Sequence, residues 1–240
     1  MACSKVIERK KCPKSEHKCG ERRCKSCKKF FPPGHLCFLN KVEPKKHNDK
    51  LIFFDFETTQ ATGEHIVNYA ILQYADGNTK KFEGVNTLTD FCNYVFTPIH
   101  KGYTLLAHNM KGFDGQFVLK WLLEKGYQPK VIPQGSKIIQ ILVTALSIRF
   151  IDSYSFFPMS LSKLPKTFGK NELAKGFFPH LFNTPENQNY VGTIPDQSFY
   201  TPEMMSKDTR QKFLSWYEEQ KDDVFDFRKE MEKYCLLVLF

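Results

Sequence analysis

The sequence predicts a mixed α/β domain built on a central sheet, preceded by a small Cys/His-rich module. Three observations carry this. From Leu51 onward, short buried strands and amphipathic helices follow in the order strand, hairpin, helix, strand, helix. Six of the eight cysteines fall within the first 37 residues. The excess of positive charge is confined to the same end: residues 1–50 hold 15 Lys and Arg against 5 Asp and Glu, and the rest of the chain holds 20 against 21. A net charge of +9 gathered in one arm fits contact with a polyanion; the plain alternative is a solvating basic tail.

The 240 residues accommodate one large domain, or a domain with a small module, and 23 Phe supply material for a core. Met1-Ala2-Cys3-Ser4-Lys5 leads into charge rather than into the apolar run of a secretory signal. The longest apolar stretch, Ile138 to Ile151, is interrupted by Gln140, Thr144, Ser147 and Arg149 and is no membrane span. The expected setting is intracellular and reducing, not secreted and without a membrane partner. Clustered cysteines there bind metal more often than they form disulfides.

The first element, residues 1–40, holds the metal pattern. Cys24-Lys25-Ser26-Cys27 is the knuckle of a zinc site, two thiolates on one tight turn. Cys12, His17, Cys19, His35 and Cys37 are the further Zn2+ candidates. Seven ligands make one site with spares, or two sites of which one is incomplete unless Cys3 serves. A redox CxxC would require a thioredoxin-like strand and helix, which this stretch does not have. Residues 41–50, with Pro44 and four Lys, read as a basic linker. Cys92 and Cys235 stand apart and read as core or helix positions.

The second domain, residues 51–240, opens on a strand over Leu51–Thr59. His65–Tyr74 alternates as a second strand, and Asp76-Gly77-Asn78 turns it into Lys80-Lys81-Phe82. Leu88, Phe91, Cys92 and Val95 mark one face of a helix from Thr87 to Phe96, with Thr87 as its candidate cap. A strand over Tyr103–Ala107 runs into a helix from about Gln116 to Lys125. Strands follow at Lys130–Ile132, Lys137–Val143 and Leu146–Ile151. Phe157 to Pro202 is rich in Pro, Gly and Asn and reads as mostly irregular. Two helices end the chain, over Ser206–Gln220 and from about Asp222 to Leu237.

Two carboxylates interrupt the apolar first strand, Asp55 and Glu57. Residues two apart on a strand share a face, so the pair looks out of one side a few ångströms apart. Like charges in an apolar setting are costly unless a cation lies between them, and a divalent metal on oxygen ligands is the natural one. The alternative is an edge strand that carries two acids at its surface. Asp114 follows the strand ending at Ala107, where strand gives way to helix, and sites form at such strand ends. Three converging carboxylates can hold two magnesium ions for phosphodiester hydrolysis.

At these residues the sequence resembles a known family. Phe54-Asp55-Phe56-Glu57-Thr58 is similar to the first exonuclease motif of family B DNA polymerases, and Asn109 with Phe113-Asp114 to the second. Glu232-Lys233-Tyr234-Cys235 resembles the start of the third. Phe150-Ile151-Asp152-Ser153, Pro158-Met159-Ser160-Leu161, Lys175 to His180 and Trp216-Tyr217-Glu218-Glu219 are similar to the protein-primed organellar and viral branch. That branch includes phage, adenovirus-type and linear-plasmid polymerases. The nearest pattern is that of large self-synthesising transposons (Polinton/Maverick type), which also carry a Cys/His-rich segment.

The resemblance implies an RNase H-like fold and 3′→5′ exonuclease chemistry. Asp55, Glu57 and Asp114 would be ligands of Mg2+ or Mn2+, and Tyr234 would position the attacking water. Thr58, Asn109, Phe113, Ser160 and Leu161 would hold the frayed strand, and Lys175 would contact the scissile phosphate. DNA, as a single-stranded 3′ end or a primer-template, is the implied partner, with a terminal priming protein beside it, in the nucleus or another site of replication. Each residue also has a plain structural role open to it: core for Phe113 and Leu161, a cap for Ser160, a solvated charge for Lys175, packing for Tyr234.

Two departures matter. The family has a carboxylate four residues after the third-motif Tyr, and Val238 stands there here. Loss of one ligand from a two-metal site lowers rates by orders of magnitude. No polymerase palm motif is present either. The expectation is therefore an N-terminal piece of a polymerase. The alternatives are a catalytically inactive nucleic-acid-binding fragment and an independent repair nuclease with a zinc arm.

Overall fold

Ile52, Phe54 and Phe56 alternate with Phe53, Asp55 and Glu57, and that alternation gives the strand they form two different faces. A computed structural model of the chain describes residues 20–32, 34–36, 50–169 and 176–239, without the side chains of residues 162, 165, 238 and 239. The chain divides into two compact units, Met1–His47 and Asn48–Phe240. Cys12, His17, Cys19, Cys37, Lys175 and linker residues 41–49 lie outside the described residues.

In the first unit, strands β1 (Arg22–Arg23) and β2 (Phe30–Phe31) pair antiparallel. Cys24 N–H donates to Lys29 O at 2.8 Å and Lys28 N–H to Cys24 O at 3.0 Å, closing the turn between them. Lys28 takes a φ of 62° to complete it.

The second unit is built on a mixed sheet. Strands β3 (Leu51–Thr59), β4 (Ile66–Tyr74) and β5 (Thr79–Glu83) form an antiparallel meander. Helix α1 (Thr87–Val95) leads to β6 (Thr104–Ala107), which lies parallel to β3 on its other side. Helix α2 (Asp114–Glu124) leads to β7 (Lys130–Gln134), β8 (Lys137–Val143) and β9 (Ile148–Asp152). Among the described residues the sheet order is β5-β4-β3-β6-β9-β8-β7, with β6 and β9 parallel. Strand β3 thus lies inside the sheet, and Asp55 and Glu57 are not on an edge.

The two faces bury different clusters. Ile52, Phe54 and Phe56 pack with Phe91, Cys92 and Val95 of α1 and Val118, Trp121 and Leu122 of α2. Each fully buried aromatic of this kind contributes about 1.5–3 kcal/mol. The opposite face, with Tyr69 and Ile71, is covered by helix α5 (Phe227–Leu239) through Phe227, Met231, Tyr234 and Cys235. Asp55 pairs with Ile71 and Glu57 with Tyr69, so both acids share this second face.

Between β9 and α5 the chain is irregular, as its composition suggests, with 3-10 turns, a short helix α3 (Leu164–Thr167) and helix α4 (Lys207–Gln220). Two expectations are corrected. Thr87 is the first helical residue of α1, not its cap; its hydroxyl donates to Gly84 O and Asn68 O, at 2.7 and 3.1 Å. The last helix begins at Phe227, not near Asp222. Val224–Asp226 forms strand β11, paired with β10 (Val191–Thr193). There Val224 is exposed and Phe225 buried, a period-two pattern, and Asp226 caps the helix by accepting from Lys229 N–H at 3.3 Å.

A bulge between Glu57 and Thr58 breaks the β3–β4 ladder. Asn183, 2% exposed, fills the break: its amide donates to Thr58 O at 3.0 Å and exchanges bonds with Asn68 at 2.6 and 3.1 Å. Replacing Asn183 by Ala strands these buried partners, so Asn183→Ala is expected to destabilise the chain by about 2–3 kcal/mol. Urea denaturation reads this, and a loss under about 0.5 kcal/mol, the scale of a surface change, contradicts it.

Candidate active site

The C-terminal ends of β3 and β6 and the start of α2 converge on one cleft. It has a volume of about 250 Å3 and is lined by Asp55, Phe56, Glu57, Thr58, Gln60, His65, His108, Asn109, Phe113, Asp114, His180 and Tyr234. Six of the expected site residues are therefore brought together with the acidic pair's neighbours: Asp55, Glu57, Thr58, Asn109, Phe113 and Asp114, with Tyr234 opposite them on α5. Ser160 is exposed, Leu161 is half-buried, and neither lines the cleft.

Asp114 is set by the turn before it. Asn109 holds a left-handed φ of 68°, which Asn tolerates better than most residues. Gly115 N–H donates to Met110 O at 2.9 Å, and a Cβ at Gly115 would meet that carbonyl at 2.9 Å. Glycine is thus required for the helix to start so close to the turn. Asp114 is the first residue of α2, is 2% exposed, and accepts from Phe56 N–H at 3.1 Å. Burial pushes its carboxyl up to about 7, with the charges of Glu57 and Asp152 adding to the rise and the Phe56 N–H opposing it.

Asp152 is a site residue that sequence reasoning passed over. It is 1% exposed, and its carboxylate accepts from Asn109 N–H at 3.0 Å, Lys111 N–H at 3.1 Å and Tyr154 N–H at 2.7 Å. It clamps the turn that presents Asn109, Phe113 and Asp114. His108 joins this turn to the next segment, through Ser153 Oγ at 3.0 Å and Met159 O at 3.0 Å. Ser160 follows Met159, beside the cleft rather than in it.

On the α5 side, Tyr234 Oη lies 3.1 Å from His180 Nε2, and His180 Nδ1 lies 3.6 Å from Glu57 Oε2. The tautomer with its proton on Nδ1 satisfies both contacts. Burial, then the charges of Glu57 and Asp55, raise the Tyr234 phenol well above its ordinary range. Tyr234 therefore keeps its proton at neutral pH. His180 was also missed as a site residue; its signal was its place in the Lys175–His180 stretch. Thr58 bonds His65 Nδ1 through its hydroxyl at 2.9 Å, and the His65 ring meets Phe113 edge-on at 5.6 Å. Phe113, half-buried, offers an aromatic ring at the cleft wall.

The donor set suits a divalent ion. Three carboxylates line one cleft, and one of them is pushed towards neutrality by burial beside the others; a cation among them removes that penalty. Ligand atoms of Asp55, Glu57 and the buried Cys235, beneath the cleft on α5, lie within 4.8 Å of one another. In the first unit, Cys24, Cys27 and His35 group within the same distance, with Cys27 Sγ 3.6 Å from His35 Nε2. That set matches the ligands of tetrahedral zinc. No helix among the described residues is long and apolar enough to cross a membrane.

Residues 97–237 match the profile of the family described as DNA polymerase type B, organellar and viral. A probable DNA polymerase of Ascobolus immersus is 25% identical over 216 residues, covering 82% of this chain and 18% of that protein. One from Agaricus bitorquis is 32% identical over 114 residues, covering 46% and 14%. The chain thus spans less than a fifth of the length of these curated relatives. Among solved structures, phi29 DNA polymerase complexed with primer-template DNA and incoming nucleotide substrates aligns with a TM-score of 0.50 at 20% identity. The alignment covers 73% of this chain and 32% of that one. At that identity the likeness speaks to the fold, which is RNase H-like.

The Asp114 environment predicts a pH signature in the metal-free chain. An unfolded Asp titrates near 3.9, the folded one near 7, so the folded state binds more protons in between. Stability is then lost as pH rises from about 4 to about 7, and stays lost above. Asp114→Asn keeps the acceptor for Phe56 N–H and removes the titration. With chelator present, the variant is expected to match the parent near pH 4 and exceed it by on the order of 4 kcal/mol at pH 8. Urea denaturation across that range measures this; a constant difference contradicts it.

Proposed function

The chain belongs to the organellar and viral family of type B DNA polymerases, and on that premise we propose that its second unit is a 3′→5′ exonuclease. Its substrate is the single-stranded 3′ end of DNA, and its service is proofreading during DNA replication. The observation that carries this reading is the shared cleft of Asp55, Glu57, Asp114 and Tyr234, flanked by Phe113 and Asn109. A DNA end is a polyanion with exposed bases, and the cleft pairs metal-ligating carboxylates with an aromatic ring suited to stacking. The phi29 structure in complex with primer-template DNA is consistent with the same partner.

Each residue has a task in this proposal. Asp55, Glu57 and Asp114 would hold Mg2+ or Mn2+. Bound there, such ions lower the pKa of water and stabilise the leaving oxygen of a phosphodiester. Tyr234 donates its O–H hydrogen bond to His180 Nε2, which leaves the phenol oxygen as an acceptor to orient the attacking water. His180 in turn donates from Nδ1 towards Glu57 and keeps that carboxylate turned inward. Phe113 stacks on the terminal base; Thr58 and Asn109 offer polar groups to its sugar and phosphate. Ser160 and Leu161, beside the cleft, and Lys175 would extend the grip along the strand. The first unit binds Zn2+ through Cys24, Cys27 and His35, with Cys12, His17, Cys19 and Cys37 as further ligands, and its basic residues meet DNA or a terminal priming protein.

Val238 favours a second reading, in which the chain grips DNA without cutting it. Incubation with 5′-labelled single-stranded DNA and magnesium or manganese separates the two. The parent chain is expected to shorten the DNA, and Asp55→Ala/Glu57→Ala to lower the rate on the order of 10³-fold. Equal background products from both, with DNA still retained in a gel shift, replace the enzyme by the binding module. For the first unit, Cys27→Ser is expected to lower the zinc content per chain, read by atomic emission; unchanged content contradicts the zinc assignment.

A further inference from the structure

We propose that Cys235 is a metal ligand, and that with Asp55 and Glu57 it forms a mixed carboxylate–thiolate site selecting a thiophilic divalent ion of the zinc and cadmium class over magnesium. The inference rests on the reading of the cleft as a divalent-ion site, not on hydrolysis. Its basis is geometric. Carboxylate oxygens of Asp55 and Glu57 and the sulfur of Cys235 lie within 4.8 Å of one another. Zinc-class ions bind carboxylate oxygen at ~2.0–2.2 Å and thiolate sulfur at ~2.3 Å, so adjustments on the order of an ångström close all three on one ion.

The helix explains the choice of residue. Cys235 is 0% exposed and sits on the stripe of α5 that faces β3, with Phe227, Met231 and Tyr234. Position 238 is three residues on, the spacing of neighbours on one helix face. Its valine has no donor atom. The sulfur one turn earlier is already beside the acidic pair. Asp114 does not compete for this place, because it is not among the three close atoms and its Oδ1 bonds Phe56 N–H. Hard magnesium prefers oxygen donors and a near-ideal octahedron; a buried sulfur in the inner set favours softer ions. On binding, the metal–sulfur bond forms and the thiol proton leaves to solvent. The competing account is that Cys235 is packing alone, since it also belongs to the apolar cluster under α5.

Cadmium NMR of the full chain tests this. One resonance is expected where a single sulfur joins oxygen donors, apart from the thiolate-rich signals of the N-terminal cysteines. Cys235→Ser should move it towards the all-oxygen range and weaken cadmium binding at least as much as the 10–100-fold that outer-shell partners cost. Cys92→Ser, in the other buried cluster, should leave it in place. Cys235→Asp should keep a site but let magnesium compete. If Cys235→Ser does not fold, Asp55→Asn with the thiol intact must abolish the same resonance. Absence of such a resonance, or its persistence unchanged in a folded Cys235→Ser chain, overturns the inference. Hydrolysis assays separate the readings: a chain with this resonance that cuts no DNA keeps the metal site and loses the nuclease, and one that cuts with magnesium but lacks it overturns this inference alone.

Discussion

The structure turns on two carboxylates placed where a carboxylate is expensive. Asp55 and Glu57 stand on an inner strand, on the sheet face that Tyr69, Ile71 and α5 otherwise fill with apolar groups. An ionised acid in such a place is penalised by desolvation and by its neighbour. Asp114, brought in from the start of α2, makes the same problem larger rather than smaller, and its carboxyl is pushed up accordingly. An arrangement that concentrates this penalty in one cleft is ordered for a cation.

The surroundings hold the acids in position. Asp152 secures the turn before α2 with two bonds to backbone N–H groups, from Asn109 and Lys111, and a third from Tyr154 fixes the carboxylate in place. Asn183 satisfies the carbonyl that the bulge at Glu57/Thr58 leaves unpaired, and so ties the irregular segment to the end of β3. Tyr234 and His180 close the α5 side. Bulge, left-handed Asn109 and crowded Gly115 all lie within this region. These local departures from regular backbone lie where the functional side chains are aimed.

What the sequence discloses follows the range of the forces involved. Strand β3, its two acids on one face, helix α1 and the β4–β5 hairpin depend on period and turn chemistry a few residues long, and they are where the pattern placed them. The acids of β3 and Asp114 could be grouped because each sits at the end of a recognisable element. Asp152 stands out only as part of the family-like stretch Phe150-Ile151-Asp152-Ser153, just past the expected strand, and its role appears when β9 is set beside β6. Asn183 lies in a stretch without period, and Asn68 and Thr58, the partners that tie it to the sheet, are more than a hundred residues away. Strand β11 was hidden because three residues ahead of a strong helical stripe carry too little pattern of their own. Cys235 read as a helix core position, which it is; its nearness to Asp55 and Glu57 depends on how α5 lies across β3.

The central claim is that the buried carboxylate cleft exists to hold a divalent ion. Calorimetric titration of the metal-free chain with manganese near pH 6.5 tests it most directly, because Asp114 is partly protonated there and must release its proton as the ion binds. Saturable binding with proton release, both abolished in Asp55→Asn, and weaker binding with diminished release in Asp114→Asn, are the predicted results. Identical titrations of the parent and Asp55→Asn chains would contradict the account.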